Sequence, residues 1–236
     1  MRALAFAVML AGGVVSAQAV SSEPGGGVIE APAETTKVLG PMRADARFTV
    51  DTDILLAYVN LGVNADLGIV KLGPGVLAVG AGLDVGFCGT VCLLIGGLLN
   101  GSYGARNFFP QARLSYHLEL PAKSGNALQK VDVYGVVFAG LVVSSMGFAG
   151  QYQGVMVSAT STGVGPGVGL GAGGSYFFTE RVFVGAEASL KYAAGRYNDV
   201  VTVTPPNSNV DFRWRDEYSG WSISGLSVRL FLGFRI

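Results

Sequence analysis

From Leu226 to Ile236 the chain alternates without a slip: Leu226, Val228, Leu230, Leu232, Phe234 and Ile236 share one parity, and Ser227, Arg229, Phe231, Gly233 and Arg235 the other. Side chains on a strand switch faces at every residue, so one face is hydrocarbon and the other mixed and cationic. Wound as a helix, the same residues would scatter Arg229 and Arg235 around the circumference and leave no clean apolar stripe. The pattern predicts a strand whose apolar face meets lipid.

The same period recurs upstream. Odd residues from Leu55 to Leu67 are apolar while the even set holds Tyr58, Asn60, Asn64 and Asp66; Lys71-Leu72-Gly73-Pro74-Gly75 then reads as a turn. From Val76 to Cys88, Leu77, Val79, Leu83, Val85 and Phe87 oppose Gly80, Gly82, Asp84 and Gly86. Ala112, Leu114, Tyr116, Leu118 and Leu120 oppose Gln111, Arg113, Ser115, His117 and Glu119. Val131 to Met146 is apolar on both faces. From Gly163 to Phe178 every second residue through Gly173 is glycine, with Val164, Pro166, Val168, Leu170, Ala172 and Tyr176 on the opposite parity. After Thr179-Glu180-Arg181, Val182, Val184, Ala186, Ala188, Leu190 and Tyr192 oppose Phe183, Gly185, Glu187, Ser189 and Lys191.

Connections alternate in length, and outer-membrane barrels have short periplasmic turns and long external loops. Residues 70–75, 121–130 and 179–181 are then periplasmic, and about 89–107, 147–162 and 196–220 external. A single-chain barrel with both ends periplasmic needs an even strand number. The eighth strand falls between Lys37 and Val50, where Arg47-Phe48-Thr49-Val50 alternates weakly. The apolar run Val91 to Leu99 reads either as an extra strand or as a short helix over the barrel mouth. The predicted class is all-β, a transmembrane antiparallel up-and-down barrel of eight strands.

A bundle of membrane helices is the competing fold, because Val76–Leu99 carries one charge and Val133–Gly150 none. Glycine argues against it: each one from Gly163 to Gly173 would cost a helix about 1 kcal/mol relative to Ala. A barrel accommodates them as an inward stripe.

At the amino terminus, Arg2, the apolar run Ala3–Val15 and Ala17-Gln18-Ala19 read as a secretory signal peptide cleaved near Ala19. Residues 20–45 are rich in Ser, Glu, Pro and Gly and are expected to form a flexible periplasmic leader, with the barrel domain at 46–236. Net charge is zero and only 14% of residues are charged, a balance that disfavours nucleic acid as a partner, since phosphate binding needs clustered basic surface. Cys88 and Cys92 lie in an exported chain, where disulfides persist. On one extended strand their Cα atoms would stand roughly 13 Å apart, too far to bond. Gly89 permits a turn that joins them, so bonded and free thiols both stay open.

From about Arg47 to Ile236 the alternation, the connection lengths and the carboxyl-terminal pattern resemble the small eight-stranded outer-membrane proteins, the OmpA-transmembrane, OmpX and OmpW type. The resemblance implies surrounding outer-membrane lipids and lipopolysaccharide, and recognition by the outer-membrane assembly machinery. That family usually ends in an aromatic residue, whereas here Ile236 is terminal and Phe234 the nearest aromatic. Tyr176, Phe178 and Phe234 fall at one edge and Phe87, Phe108, Tyr192 and Trp221 at the other, as two interfacial girdles require.

On this register Asp66, Asp84, Arg113, Glu119, Glu187, Lys191 and Arg229 form a lumen charge network, joined by Asp132 and Arg235, with Glu187 expected to pair with Arg229. Eight strands leave an interior only just wide enough for side chains, so this reads as a plug. The alternative is a narrow passage for small hydrophobic molecules, which the OmpW likeness implies. Tyr58, Gly167, Gly169, Gly171, Phe138 and Phe231 would line it, beside an apolar patch of Leu56, Val136 and Val142. His117 with Ser115 is the sole pair suited to acyl chemistry, and its place in the lumen favours a hydrogen-bond role. Arg213, Trp214 and Arg215, on a hairpin tipped by residues 205–209, are candidates for external contact and adhesion. No metal, cofactor or catalytic motif is read.

Overall fold

The computed structural model describes residues 38–53, 58–98, 101–121, 127–206 and 210–236, so the signal peptide and most of the leader, residues 54–57 with Leu56, and the tip at 207–209 lie outside it. The described chain forms eight antiparallel strands: β1 (Ala44–Asp53), β2 (Tyr58–Leu72), β3 (Gly75–Cys88), β4 (Gly101–Leu118), β5 (Val131–Tyr152), β6 (Val155–Phe177), β7 (Val182–Thr204) and β8 (Phe212–Arg235). Each pairs with its neighbours in sequence, and β1 pairs with β8 from Asp45↔Arg235 to Asp53↔Ser227, so the ring closes. Within the closed ring the strands are paired on both sides without an edge, which is the condition for crossing hydrocarbon with strands. Among the described residues no helix is long and apolar enough to cross a membrane. Val76–Leu99, a helical candidate by hydropathy, is β3 followed by the nine-residue helix α1 (Thr90–Leu98), which packs on β4.

Two turns are set locally. Gly73, at φ +54°, precedes Pro74 between β2 and β3, and Gln153-Gly154, at φ +50° and +81°, make the two-residue hairpin from β5 to β6. Positive φ at both central residues matches the strand twist.

Outward parity is apolar over a continuous band. Phe48, Val50, Leu61, Val63, Leu114, Val137, Leu141, Val168, Leu170, Leu190, Val228, Leu230 and Leu232 are all at least 41% exposed. An exposed ring of that extent is a lipid-facing surface. It stops at one level around the hairpin end, where Phe108, Val143 and Val164 give way to Arg106, Ser145 and Thr162, which pair in turn along the ladders. Tyr176, Phe178, Phe234, Phe87, Phe108 and Tyr192 are all outward and exposed.

Three expectations change here. The leader does not extend to residue 45: Leu39 is fully buried, Met42 N donates to Gly68 O, and Ala44 begins β1. Residues 38–43 are therefore fixed against the turn end of the barrel. Within 147–162 and 196–220, residues 147–152, 155–162, 196–204 and 212–220 are strand rather than loop, because β5, β6, β7 and β8 run on past the apolar band, carried by β-branched stretches such as Val200-Val201-Thr202-Val203-Thr204. Within 89–107, β4 has already begun at Gly101.

Arginine at Leu230, halfway along the outward set of β8, is expected to destabilise the folded barrel by about 2–4 kcal/mol, whereas arginine at Ser224, above the band, costs about 0–1 kcal/mol. Denaturant unfolding of the two variants in lipid vesicles measures the difference.

Candidate functional site: a charge-filled lumen with an open vestibule

Inward parity on every strand carries polar or aromatic side chains, and the barrel's width forces them together. At the turn end Arg235 forks onto Asp45 at 2.8 and 2.9 Å, reaches Asp132 at 3.3 Å and donates to Val38 O at 3.0 Å. Its guanidinium lies 4.3 Å from the centre of the Phe177 ring. At mid-height Arg47 meets Asp66 at 3.0 Å and sits 4.6 Å over Tyr134. Arg113 meets Glu187 at 2.8 Å and Asp66 at 3.5 Å, while Tyr134 donates to Glu187 at 3.1 Å. Above them Arg229 joins Glu187 at 3.4 Å, Asp84 at 2.6 Å and Asp51 at 3.3 Å. Gln111 donates to Asp84, and Lys191 pairs with Asp51. Asp45, Arg47, Asp51, Asp66, Asp84, Arg113, Asp132, Glu187, Arg229 and Arg235 are each at most 5% exposed.

The structure thus brings together Asp66, Asp84, Arg113, Glu187, Lys191 and Arg229, and Glu187 faces Arg229 directly in the β7–β8 register. Glu119 is not among them. It lies just past the end of β4 and pairs at 2.7 Å with the exposed Lys71 at the rim, because the strand stops one residue before it. Sequence reasoning missed Asp45, Arg47 and Asp51. They share one parity on β1, so alternation alone would have found them had that strand been placed with its full length.

His117 Nδ1 lies 2.9 Å from Asp132, its Nε2 lies 3.1 Å from Ser115 Oγ, and its ring stacks on Tyr134 with centres 5.1 Å apart. The arrangement has the connectivity of a nucleophile, base and orienting acid. Ser115 is 1% exposed and Asp132 is shared with Arg235, so the hydroxyl has no approach for a substrate.

The glycine stripe is not open space. A Cβ at Gly169 would stand 2.3 Å from Phe138, one at Gly173 2.6 Å from the Tyr134 hydroxyl, and one at Gly171 2.8 Å from Ser189 Cβ. Phe231 presses on Gly185 in the same way, at 2.4 Å. Phe138, Val136 and Phe231 are buried together with Phe177 and Phe183. Phe138 fills the space beside Gly169 and Phe231 that beside Gly185, while Gly171 backs onto Ser189.

Tyr58 and Gly167 lie higher, lining a cavity of about 120 Å³ with Asp51, Asp84, Phe109, Val142 and Lys191. Cys88, paired with Tyr58 across β2–β3, is bonded to Cys92 of α1, with Cα atoms 5.8 Å apart. Above the band, Tyr197 shares a hydrogen bond of 2.9 Å with Ser144; burial pushes its phenol above the usual value and that bond opposes the shift. Arg213, Trp214 and Arg215 do not form one surface. The β7–β8 register slips between Tyr197 and Asp199, and beyond it Trp214 pairs with Val201 while Arg213 and Arg215 pair with Thr202 and Val200 on the other face. Trp214 instead stacks with Phe212, ring centres 6.4 Å apart.

The chain matches no protein-family model and no curated protein. Among solved structures it is similar to a major outer membrane protein from Thermus thermophilus, at 15% identity and a TM-score of 0.53, over 82% of this chain and 99% of that one. Weaker likenesses are the N-terminal β-barrel domain of Pseudomonas aeruginosa OprF (16%, TM-score 0.37, 84% and 99% covered) and Neisserial surface protein A (15%, TM-score 0.40, 82% and 94% covered). The chain has the fold of the small eight-stranded outer-membrane β-barrels, as its own closed ring and the first of these structures show.

Arg229→Met is expected to cost about 3–5 kcal/mol, because it leaves buried carboxylates without their cation. Lys71→Met, at a solvent-exposed pair, is expected to cost less than about 1 kcal/mol. Equilibrium unfolding of the refolded variants gives both values.

Proposed function

We propose that this protein is a structural component of the bacterial outer membrane whose barrel is closed to solutes. It is exported on the signal peptide that ends near Ala19, holds the turn end in the periplasm, and stands in lipid and lipopolysaccharide through its apolar band. The assembly machinery takes it up through the alternating last strand. The observation that carries this reading is the unbroken run of ion pairs from Arg235 through Arg47, Arg113 and Arg229 to Asp51, packed against Phe138, Phe183 and Phe231. A water-filled pore would have to separate those charges from their partners, and each separation is costly in a low-dielectric lumen. Leu39, buried at the turn end beside the Arg235 contact to Val38, supports closure there as well.

The reading assigns no catalysis. Ser115, His117 and Asp132 act as a hydrogen-bonded tie between β4 and β5, with Asp132 extending it to Arg235 on β8.

Purified protein inserted in planar bilayers is expected to give no stepwise conductance with potassium chloride on both sides. Discrete channel openings of the wild-type protein would overturn the closed-barrel reading.

A further inference from the structure

Two sets of arginines differ in what neutralises them. Arg47, Arg113, Arg229 and Arg235, in the lumen, each meet a carboxylate. Arg106, Arg196 and Arg213 stand exposed on β4, β7 and β8 and, among the described residues, have no carboxylate partner. Register puts all three on the outer face of the wall that β4 to β8 raise beyond the apolar band: Arg106 is opposite Ser145, Arg196 opposite Val164 and Arg213 opposite Thr202. Arg215, opposite Val200, shares that face. Outside the slip at 216–219, every charged residue at the outer parity of this wall is an arginine, whereas Asp199 has the inner parity. The chain as a whole has no net charge, so the cationic face comes from placement and not from composition.

The lowest of these cations lie where the band ends. Across four consecutive strands Arg106, Ser145, Thr162 and Asn198 stand side by side in register, and Arg196 is two residues from Asn198 on the same face. Just below the row are the exposed apolar residues Phe108, Val143 and Val164. Just above it Gly104 and Gly147 leave the surface flat, since a Cβ at either would meet nothing within 4 Å. Three strand spacings, about 14 Å, separate Arg106 from Asn198. We propose that this row binds the headgroup of an outer-leaflet glycolipid that carries a phosphate at each end of a disaccharide, as lipopolysaccharide does. The proposal rests on the outer-membrane reading above, with the hairpin end outside. Each guanidinium forks onto one phosphate, a geometry that arginine matches better than lysine. Ser145, Thr162 and Asn198 supply hydrogen-bonding groups to the sugars between the two phosphates. Val164 gives the aliphatic stem of Arg196 an apolar bed, and the acyl chains continue downward over the lipid-facing band. A phosphorylated headgroup thus brings the counter-charge that the outer face of the wall lacks.

The test is native mass spectrometry of the refolded full chain in a neutral detergent, titrated with lipid A, whose disaccharide bears both phosphates, and with its monophosphoryl form. Heat-modifiable gel migration verifies that each variant is folded. The wild-type protein is expected to bind lipid A saturably and the monophosphoryl form about tenfold more weakly. Arg106→Gln combined with Arg196→Gln is expected to weaken lipid A binding at least about tenfold. Arg43→Gln combined with Arg181→Gln removes the same charge from exposed positions at the turn end and is expected to bind as the wild type does. Equal binding by the two double variants would overturn the site. Full competition by phosphatidylglycerol at equal phosphate would overturn the disaccharide headgroup as the ligand. Either result would leave the closed-barrel reading standing, because conductance and not lipid binding decides it.

Discussion

Eight strands enclose a space so narrow that every charge on the inner face has to find its counter-charge across the ring. Arg229 makes the consequence concrete: from β8 it reaches Asp51 on β1, Asp84 on β3 and Glu187 on β7. Arg113 then carries the connection from Glu187 back to Asp66 on β2, and Arg47 joins Asp66 to Asp45 on β1. Ladder hydrogen bonds tie each strand only to its two neighbours. The ion pairs tie strands across the lumen, and they hold only in the register that puts all of these residues on the inside.

Size complementarity completes the interior where charge does not. Phe138, Tyr134, Phe183 and Phe231 each lean over a glycine of a neighbouring strand, at Gly169, Gly173, Gly233 and Gly185. A side chain at those glycines would overlap a ring, so the small positions are the counterpart of the large ones. The same residue type has the opposite meaning at Gly225, where nothing approaches and a cavity remains.

Strand identity is legible wherever one face meets lipid, because hydrocarbon outside and charge inside enforce a strict period of two, as from Leu226 to Ile236. Arg113, Glu187, Lys191 and Arg229 follow from parity alone. Strand ends are harder to read: Glu119 keeps the parity of β4 yet lies past its last residue, and parity does not say where a strand stops. β1 is obscure because Arg47-Phe48-Thr49-Val50 is short and follows a Pro- and Gly-rich stretch, which leaves Asp45, Arg47 and Asp51 unassigned. Beyond the membrane both faces meet water, the constraint on pattern relaxes, and the strand stretches at 147–152 and 196–204 read as loops. The one-residue slip that turns Trp214 inward leaves no mark in composition. The Ser115–His117–Asp132 tie joins residues from two strands, and only the β4–β5 register brings Asp132 to the histidine.

The central claim is that alternate residues of β8 face lipid and a dry, packed lumen. It is tested most directly by spin labels placed singly from residue 226 to residue 234 in the vesicle-reconstituted protein, with collision rates measured for oxygen and for a water-soluble nickel chelate. Labels at 226, 228, 230, 232 and 234 are predicted to collide with oxygen and not with nickel, and those at 229 and 231 with neither. Nickel access at 229 and 231, or a profile without a period of two, would contradict the account.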